Sequence, residues 1–176
     1  MKRISIVGPP GSGKTTLARA LSERLQLTHI ELDRLFHMPG WQPRPRDDFR
    51  TLVTEAAAAE RWVTDGNYQS KVQDIVWTRA DTVVWLDLPR RVVLPALLGR
   101  TLWRGATGAE LWNGNRERLG SLLNRSPEEN LMLWCIQNFP RYRARYTAAS
   151  TAPEWSRLDF VRLRSRRAIA GWLAGL

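Results

Sequence analysis

Gly8-Pro9-Pro10-Gly11-Ser12-Gly13-Lys14-Thr15 satisfies the spacing G-x-x-x-x-G-K-[ST]. Those residue types suit one task, the holding of a polyphosphate. Glycines let the backbone curl until successive N–H groups converge on an anion, and a helix opening at Gly13 adds its positive dipole end. The Lys14 ammonium can reach β- and γ-phosphate oxygens, the Thr15 hydroxyl can bind Mg²⁺, and Thr16 continues the cradle into the helix. Gly8 to Thr16 is therefore the expected ATP site. The metal needs a second oxygen ligand, a carboxylate at a strand end. Asp65, after Arg61-Trp62-Val63-Thr64, and Asp87, after Val84-Trp85-Leu86, both qualify. The simpler readings are that Asp65 caps a tight Asp-Gly-Asn turn and that Asp87 ends its strand.

These residues need a rigid frame, and the hydrophobic pattern supplies one. Residues 4–7 form a short apolar run ending in glycine, the mark of a buried strand. Leu17, Leu21 and Leu25 recur every fourth residue over 13–25, a helix stripe. Further strands are expected at 28–32, 62–64, 82–88 and 158–163. Helices are expected at 47–60, 94–103 and 165–173, and another from the Ser126-Pro127-Glu128-Glu129 start to about Tyr146. Pro39, Gly40, Pro43 and Pro45 impose a stiff loop, and 104–120, with four glycines and no period, reads as a mobile flap. Strands alternating with helices argue for a parallel sheet covered on both faces, a three-layer α/β fold.

The chain has 176 residues, 43% hydrophobic and 25% charged, which suits one globular domain over 1–176 and excludes a largely disordered or coiled-coil chain. No apolar run reaches membrane-spanning length, and one cysteine, Cys135, forms no internal disulfide, so a cytoplasmic protein is expected. Basic residues exceed acidic ones by ten, nearly all arginine, the lysines being Lys2, Lys14 and Lys71. Arginine grips phosphate bidentately, so an anionic partner, nucleic acid included, stays open beside a merely solvated surface. His29 and His37 have no triad or metal spacing and are given no catalytic role, and Cys135 reads as packing.

Four blocks in order go further: the phosphate loop; Leu32-Asp33-Arg34-Leu35-Phe36 with Pro39-Gly40-Trp41; Trp62 through Tyr68; and Ala80 through Arg90. Together they resemble the adenylate kinase-like P-loop proteins known as DNA topology modulation proteins. The likeness is good over roughly the first hundred residues and continues through Asn138-Phe139-Pro140-Arg141 and the ending Val161-Arg162-Leu163-Arg164-Ser165. It implies a P-loop nucleoside-kinase fold of about five parallel strands in the order 2-3-1-4-5, an acceptor segment after strand two, and a flexible helical lid, here 104–125. In small P-loop kinases the strand beside the phosphate loop is third in sequence, which favours Asp65 over Asp87 for the metal. Arg100 and Arg104 match the R-x-x-x-R spacing at the start of an adenylate kinase lid. One helical turn apart, they face the same way and could both reach the transferring phosphoryl, or both lie exposed on a helix face. The segment Glu110-Leu111-Trp112-Asn113-Gly114-Asn115-Arg116 departs from an adenylate kinase lid. The likeness also places adenine recognition loosely around residues 164–167.

Asp33, just after strand two, is a candidate base or hydroxyl anchor, or else a partner of Arg34. Arg34, Arg44 and Arg46 could instead clamp an acceptor phosphate, and Phe36, Trp41 and Tyr68 could stack on a base, although nine tryptophans point mostly to core packing. The expected activity is Mg²⁺/ATP-dependent phosphoryl transfer to a nucleotide or another small molecule, with Lys14, Asp33, Arg100 and Arg104 catalytic and Thr15 and Asp65 on the metal. A nucleic-acid-dependent ATPase or polynucleotide kinase, and a non-catalytic nucleotide-binding regulator, are the alternatives.

Overall fold

The computed structural model describes residues 1–117, 119–127 and 130–176. Five parallel strands, β1 (Arg3–Val7), β2 (Thr28–Glu31), β3 (Trp62–Asp65), β4 (Thr82–Leu86) and β5 (Asp159–Leu163), form one sheet in the order β2-β3-β1-β4-β5. This is the expected order. The period-two alternation of a strand distributes the core: Val83 and Trp85 face one side of the sheet, Val84 and Leu86 the other. On the first side α3 (Arg46–Ala56), α4 (Gln69–Arg79) and α6 (Leu131–Thr151) bury Phe49, Val76, Trp77 and Tyr146. On the second, α1 (Lys14–Leu25) and α7 (Arg166–Ala174) cover Ile4, Ile6 and Val84 with Leu17, Leu21 and Trp172. A third cluster, in which α5 (Arg90–Thr107) and α6 meet through Val93, Leu97, Cys135 and Phe139, lies under the phosphate loop. Among the described residues no helix is long and apolar enough to cross a membrane.

Several elements depart from expectation. The sequence pattern predicts no counterpart of the α4 helix, and α2 (Leu32–Phe36) is one short turn that begins at Leu32, where the pattern predicts the end of a strand. The α5 helix starts at Arg90, four residues before the expected start, because Pro89 occupies the cap position and fixes the entry. The α6 helix is capped by Asn130, whose side chain accepts from the amides of Met132 and Leu133, so helix begins beyond Ser126-Pro127. Glu128 and Glu129 of that expected start lie outside the described residues. The flap is docked: beyond Gly108 the chain turns through a bridge between Glu110 and Arg116, and Asn115 is buried.

Candidate active site

The phosphate loop leaves β1 at Gly8 and enters α1 at Lys14. Gly8 takes φ +145° and Gly11 φ +81°, and a Cβ at either would lie 2.8 Å from a backbone carbonyl oxygen, of Leu86 or Val93. Only glycine fits both constraints. Asn67, from the turn after β3, braces the loop from behind. It accepts from the Gly8 N–H at 3.3 Å, donates to the Gly8 carbonyl at 2.7 Å and accepts from the Tyr146 hydroxyl at 3.1 Å. Replacing Asn67 with alanine frees Gly8 and is expected to cost about 1–3 kcal/mol of stability. The same change should weaken nucleotide binding. Thermal melting and nucleotide titration of the variant check both.

Lys14 lies along this loop, its ammonium donating to the carbonyls of Gly8 at 2.8 Å and Pro9 at 3.1 Å. Burial lowers its pKa from 10.5 to about 8, with Asp33 and Asp65 pulling it up and Arg100 pushing it further down. Between pH 8 and 10.5 the folded chain thus binds fewer protons here than the unfolded chain, and stability rises with pH across that window. A bound polyphosphate favours the charged ammonium, so binding takes up a proton and affinity falls as pH rises through about 8. Calorimetric ADP titrations from pH 6.5 to 9.5 in buffers of different ionisation heat should show that uptake on its alkaline side.

The Thr15 hydroxyl donates to Asp65 Oδ2 at 2.5 Å, and His29 Nε2 lies 2.9 Å from Asp65 Oδ1. Asp87, the other carboxylate considered for the metal, points elsewhere. Arg143 reaches its Oδ1 at 2.9 Å, Arg162 its Oδ2 at 2.6 Å, and Arg164 approaches to 3.9 Å. It ties β4 to β5 and α6, while the Arg162 guanidinium also stacks over Trp85 at 4.1 Å.

The cleft in front of the loop, open to solvent on one side, has a volume of ≈ 1820 Å³ and is lined by Lys14, Thr15, Asp33, Asp65, Arg100 and Arg104 together, so the residues expected to do the chemistry share one space. Asp33 opens the first turn of α2. It is paired with the Tyr68 phenol, which donates to its Oδ1 at 2.6 Å, rather than with Arg34. Burial and that carboxylate hold the Tyr68 hydroxyl far above the usual tyrosine range, so the phenol stays a donor. Arg100 and Arg104, one turn apart on α5, both turn toward Glu117 Oε1, at 3.9 Å and 2.8 Å. Burial, with Arg104 alongside, depresses the Arg100 pKa, and the Arg100 Nε and the Glu117 Oε2 are buried without a hydrogen-bond partner.

Arg34, Arg44 and Arg46 do not line the cleft; the Arg44 Nε donates to the Leu35 carbonyl at 2.7 Å. Phe36 packs against Phe49 and Tyr68, whereas Trp41 and Tyr68 reach the cleft. Of residues 164–167, Arg166 lines it. Several contributors to the site are not evident from sequence. His37, given no role there, lines the cleft between Trp41 and Trp112 with its Nε2 3.3 Å from the Tyr68 hydroxyl, and burial lowers its pKa against the pull of Asp33. Trp112 donates to Glu31 Oε2 at 2.6 Å, and the Asn115 amide donates to the Met38 carbonyl at 2.9 Å while its oxygen accepts from the Trp41 N–H at 2.8 Å. The flap tip thus rests on the segment after β2. Isolated residues such as His37, Trp112 and Asn115 carry no periodic signal, so no pattern reveals these contacts.

Sheet order and phosphate loop define a P-loop protein with a kinase-like fold. A family model described as an AAA domain matches residues 4–94, just over half of the chain, and the chain belongs to that family. A shikimate kinase of Synechococcus elongatus is 29% identical over 133 residues, covering 64% of this chain and 70% of the relative. Two solved structures share the fold. A shikimate kinase from Bacteroides thetaiotaomicron has a TM-score of 0.52 at 19% identity, covering 99% of this chain and 95% of its own. One from Acinetobacter baumannii in complex with shikimate has a TM-score of 0.56 at 21% identity, covering 99% and 90%.

Proposed function

We propose that the protein is a Mg²⁺/ATP-dependent phosphotransferase of the adenylate kinase-like P-loop class, acting on a small-molecule acceptor. The observation that carries this reading is the meeting of Lys14, the Thr15–Asp65 pair, Arg100, Arg104 and Asp33 around one cleft. Backbone amides of the loop from Gly11 to Thr16 and the Lys14 ammonium would bind the β- and γ-phosphates. Thr15 and Asp65 offer hard oxygen donors. Such a pair would leave the remaining positions on the cation to phosphate oxygens and water. When bound, Mg²⁺ would neutralise charge on the phosphate oxygens.

In the transfer, the bond from the γ-phosphorus to the β–γ bridging oxygen breaks, ADP leaves, and a bond forms from phosphorus to the acceptor oxygen. A hydroxyl acceptor fits Asp33 best. The Tyr68 phenol holds one carboxylate oxygen, and the other can take the proton the hydroxyl must lose. The names of the relatives, shikimate kinases, favour a small-molecule acceptor in the same direction. Arg100 and Arg104 would spread the transition-state charge, and the docked flap would keep water from competing. Likeness to the DNA topology modulation proteins and a cytoplasmic location belong to this reading.

ATP consumption against a panel of hydroxyl compounds, nucleosides, nucleoside monophosphates and DNA oligonucleotides tests it. Saturable transfer to a hydroxyl compound, lost by about 10²–10⁴-fold in Asp33→Asn, is the expected result. Transfer to a monophosphate would make Asp33 an anchor, and Asp33→Asn would then raise KM alone. Turnover provoked only by DNA overturns the small-molecule reading, and tight ATP binding without transfer to any acceptor overturns the enzyme.

A further inference from the structure

We propose that His29 is a positioning residue for the cation site, fixing the Asp65 carboxylate that faces Thr15; this rests on the phosphotransferase reading above. His29 and Asp65 stand on adjacent parallel strands. The register pairs His29 with Val63 and Glu31 with Asp65, so the imidazole meets the carboxylate diagonally across the β2–β3 ladder. His29 Nε2 lies 2.9 Å from Asp65 Oδ1, and the two side chains are only 13% and 6% exposed. The other ring nitrogen, Nδ1, faces Glu31 Oε1 at 4.0 Å. Glu31 is itself fixed by the Trp112 indole at 2.6 Å and lies 3.9 Å from Arg19. Both ring nitrogens therefore face carboxylates, and the ring has little freedom to turn.

The consequence follows from counting the holds on Asp65. One oxygen is held by the Thr15 hydroxyl at 2.5 Å and the other by His29. A cation held by the oxygens of Thr15 and Asp65 would compete with the Thr15 hydroxyl for the Asp65 carboxylate and would loosen that hold. Among the described residues His29 would then carry more of the task of fixing the carboxylate. Such outer partners typically change metal affinity by about 10–100-fold when removed.

The test compares wild type, His29→Ala and His29→Gln by ADP titration, first in EDTA and then at increasing MgCl₂. Gln is chosen because its side-chain amide can supply a donor near the lost Nε2. Metal-free ADP affinity is expected to stay within about two-fold in all three, since the loop amides and Lys14 are untouched. The MgCl₂ concentration for half of the affinity gain should rise about 10–100-fold in His29→Ala and return most of the way in His29→Gln. An unchanged Mg²⁺ requirement in His29→Ala overturns the proposal. So does an equal loss with and without Mg²⁺, which marks a packing role, or a His29→Gln variant no better than alanine. Wild-type protein that binds no ADP under either condition overturns the phosphotransferase reading itself, and the role of His29 with it.

Discussion

Arg100→Ala is expected to lower the turnover number by about 10³-fold or more, the scale set by arginines that contact a transferring phosphoryl group. The two arginines of α5 are not equivalent. Arg104 is clasped by Glu117 at 2.8 Å, whereas Arg100 stands 3.9 Å from the same oxygen and has a buried Nε without a partner. Burial destabilises its charged form, the Arg104 charge adds to that, and Glu117 and Asp33 only partly offset it. A cation so placed gains most from a group whose negative charge grows, which is the property of a transition state. The loss should therefore fall on kcat with KM nearly unchanged, and Arg100→Lys should recover charge without the planar fork and restore only part of the rate. Arg104→Ala should behave differently. It leaves a carboxylate 13% exposed without its closest partner, so flap stability should fall along with activity. Steady-state kinetics with melting curves separates the two. A raised KM at unchanged kcat in Arg100→Ala would assign the residue to ground-state binding instead.

Lys14→Ala should lower turnover by about 10²–10³-fold, the usual cost of removing one preorganised donor from a reacting anion. Its effect on folding should run the other way. With its pKa brought down to about 8, the charged ammonium is disfavoured by the fold at pH 7, and alanine removes that penalty together with two hydrogen bonds to carbonyls. The variant is expected to melt no lower than the parent while failing in turnover. Scanning calorimetry and the coupled assay on one preparation check this. Full activity in the variant would sink the phosphotransferase reading.

Legibility in the sequence followed the range of the interactions. The phosphate loop is a contiguous stretch whose mechanism is written in eight residues, and Leu17 and Leu21 announce the helix behind it. The strand order came from family likeness, because register between β1 and β3 depends on residues some 60 apart. The α4 helix escaped notice although Val72 and Val76 stand four apart with Trp77 beside them, a helix face only three residues wide. At α6, Ser126-Pro127 offers good start chemistry, but Asn130 wins by binding two amides of the helix. His29 and Asn67 were invisible as site residues. Each acts through partners on other elements, His29 on Asp65 36 positions away and Asn67 on Gly8 and Tyr146 59 and 79 positions away, and neither belongs to a repeating pattern.

The polar, glycine-rich composition of the flap reads as freedom, yet Asn113 and Asn115 turn that polarity into anchorage on the carbonyls of Arg34, His37 and Met38, helped by Trp112 on Glu31. Anchorage of this kind sets a timetable. A molecule lodged beneath the flap tip is expected to exchange with solvent more slowly while those bonds hold, so its residence would depend on the flap as well as on affinity. Under the phosphotransferase reading, turnover is expected to slow with added small viscogens such as sucrose and to be untouched by them if flap opening does not limit exchange.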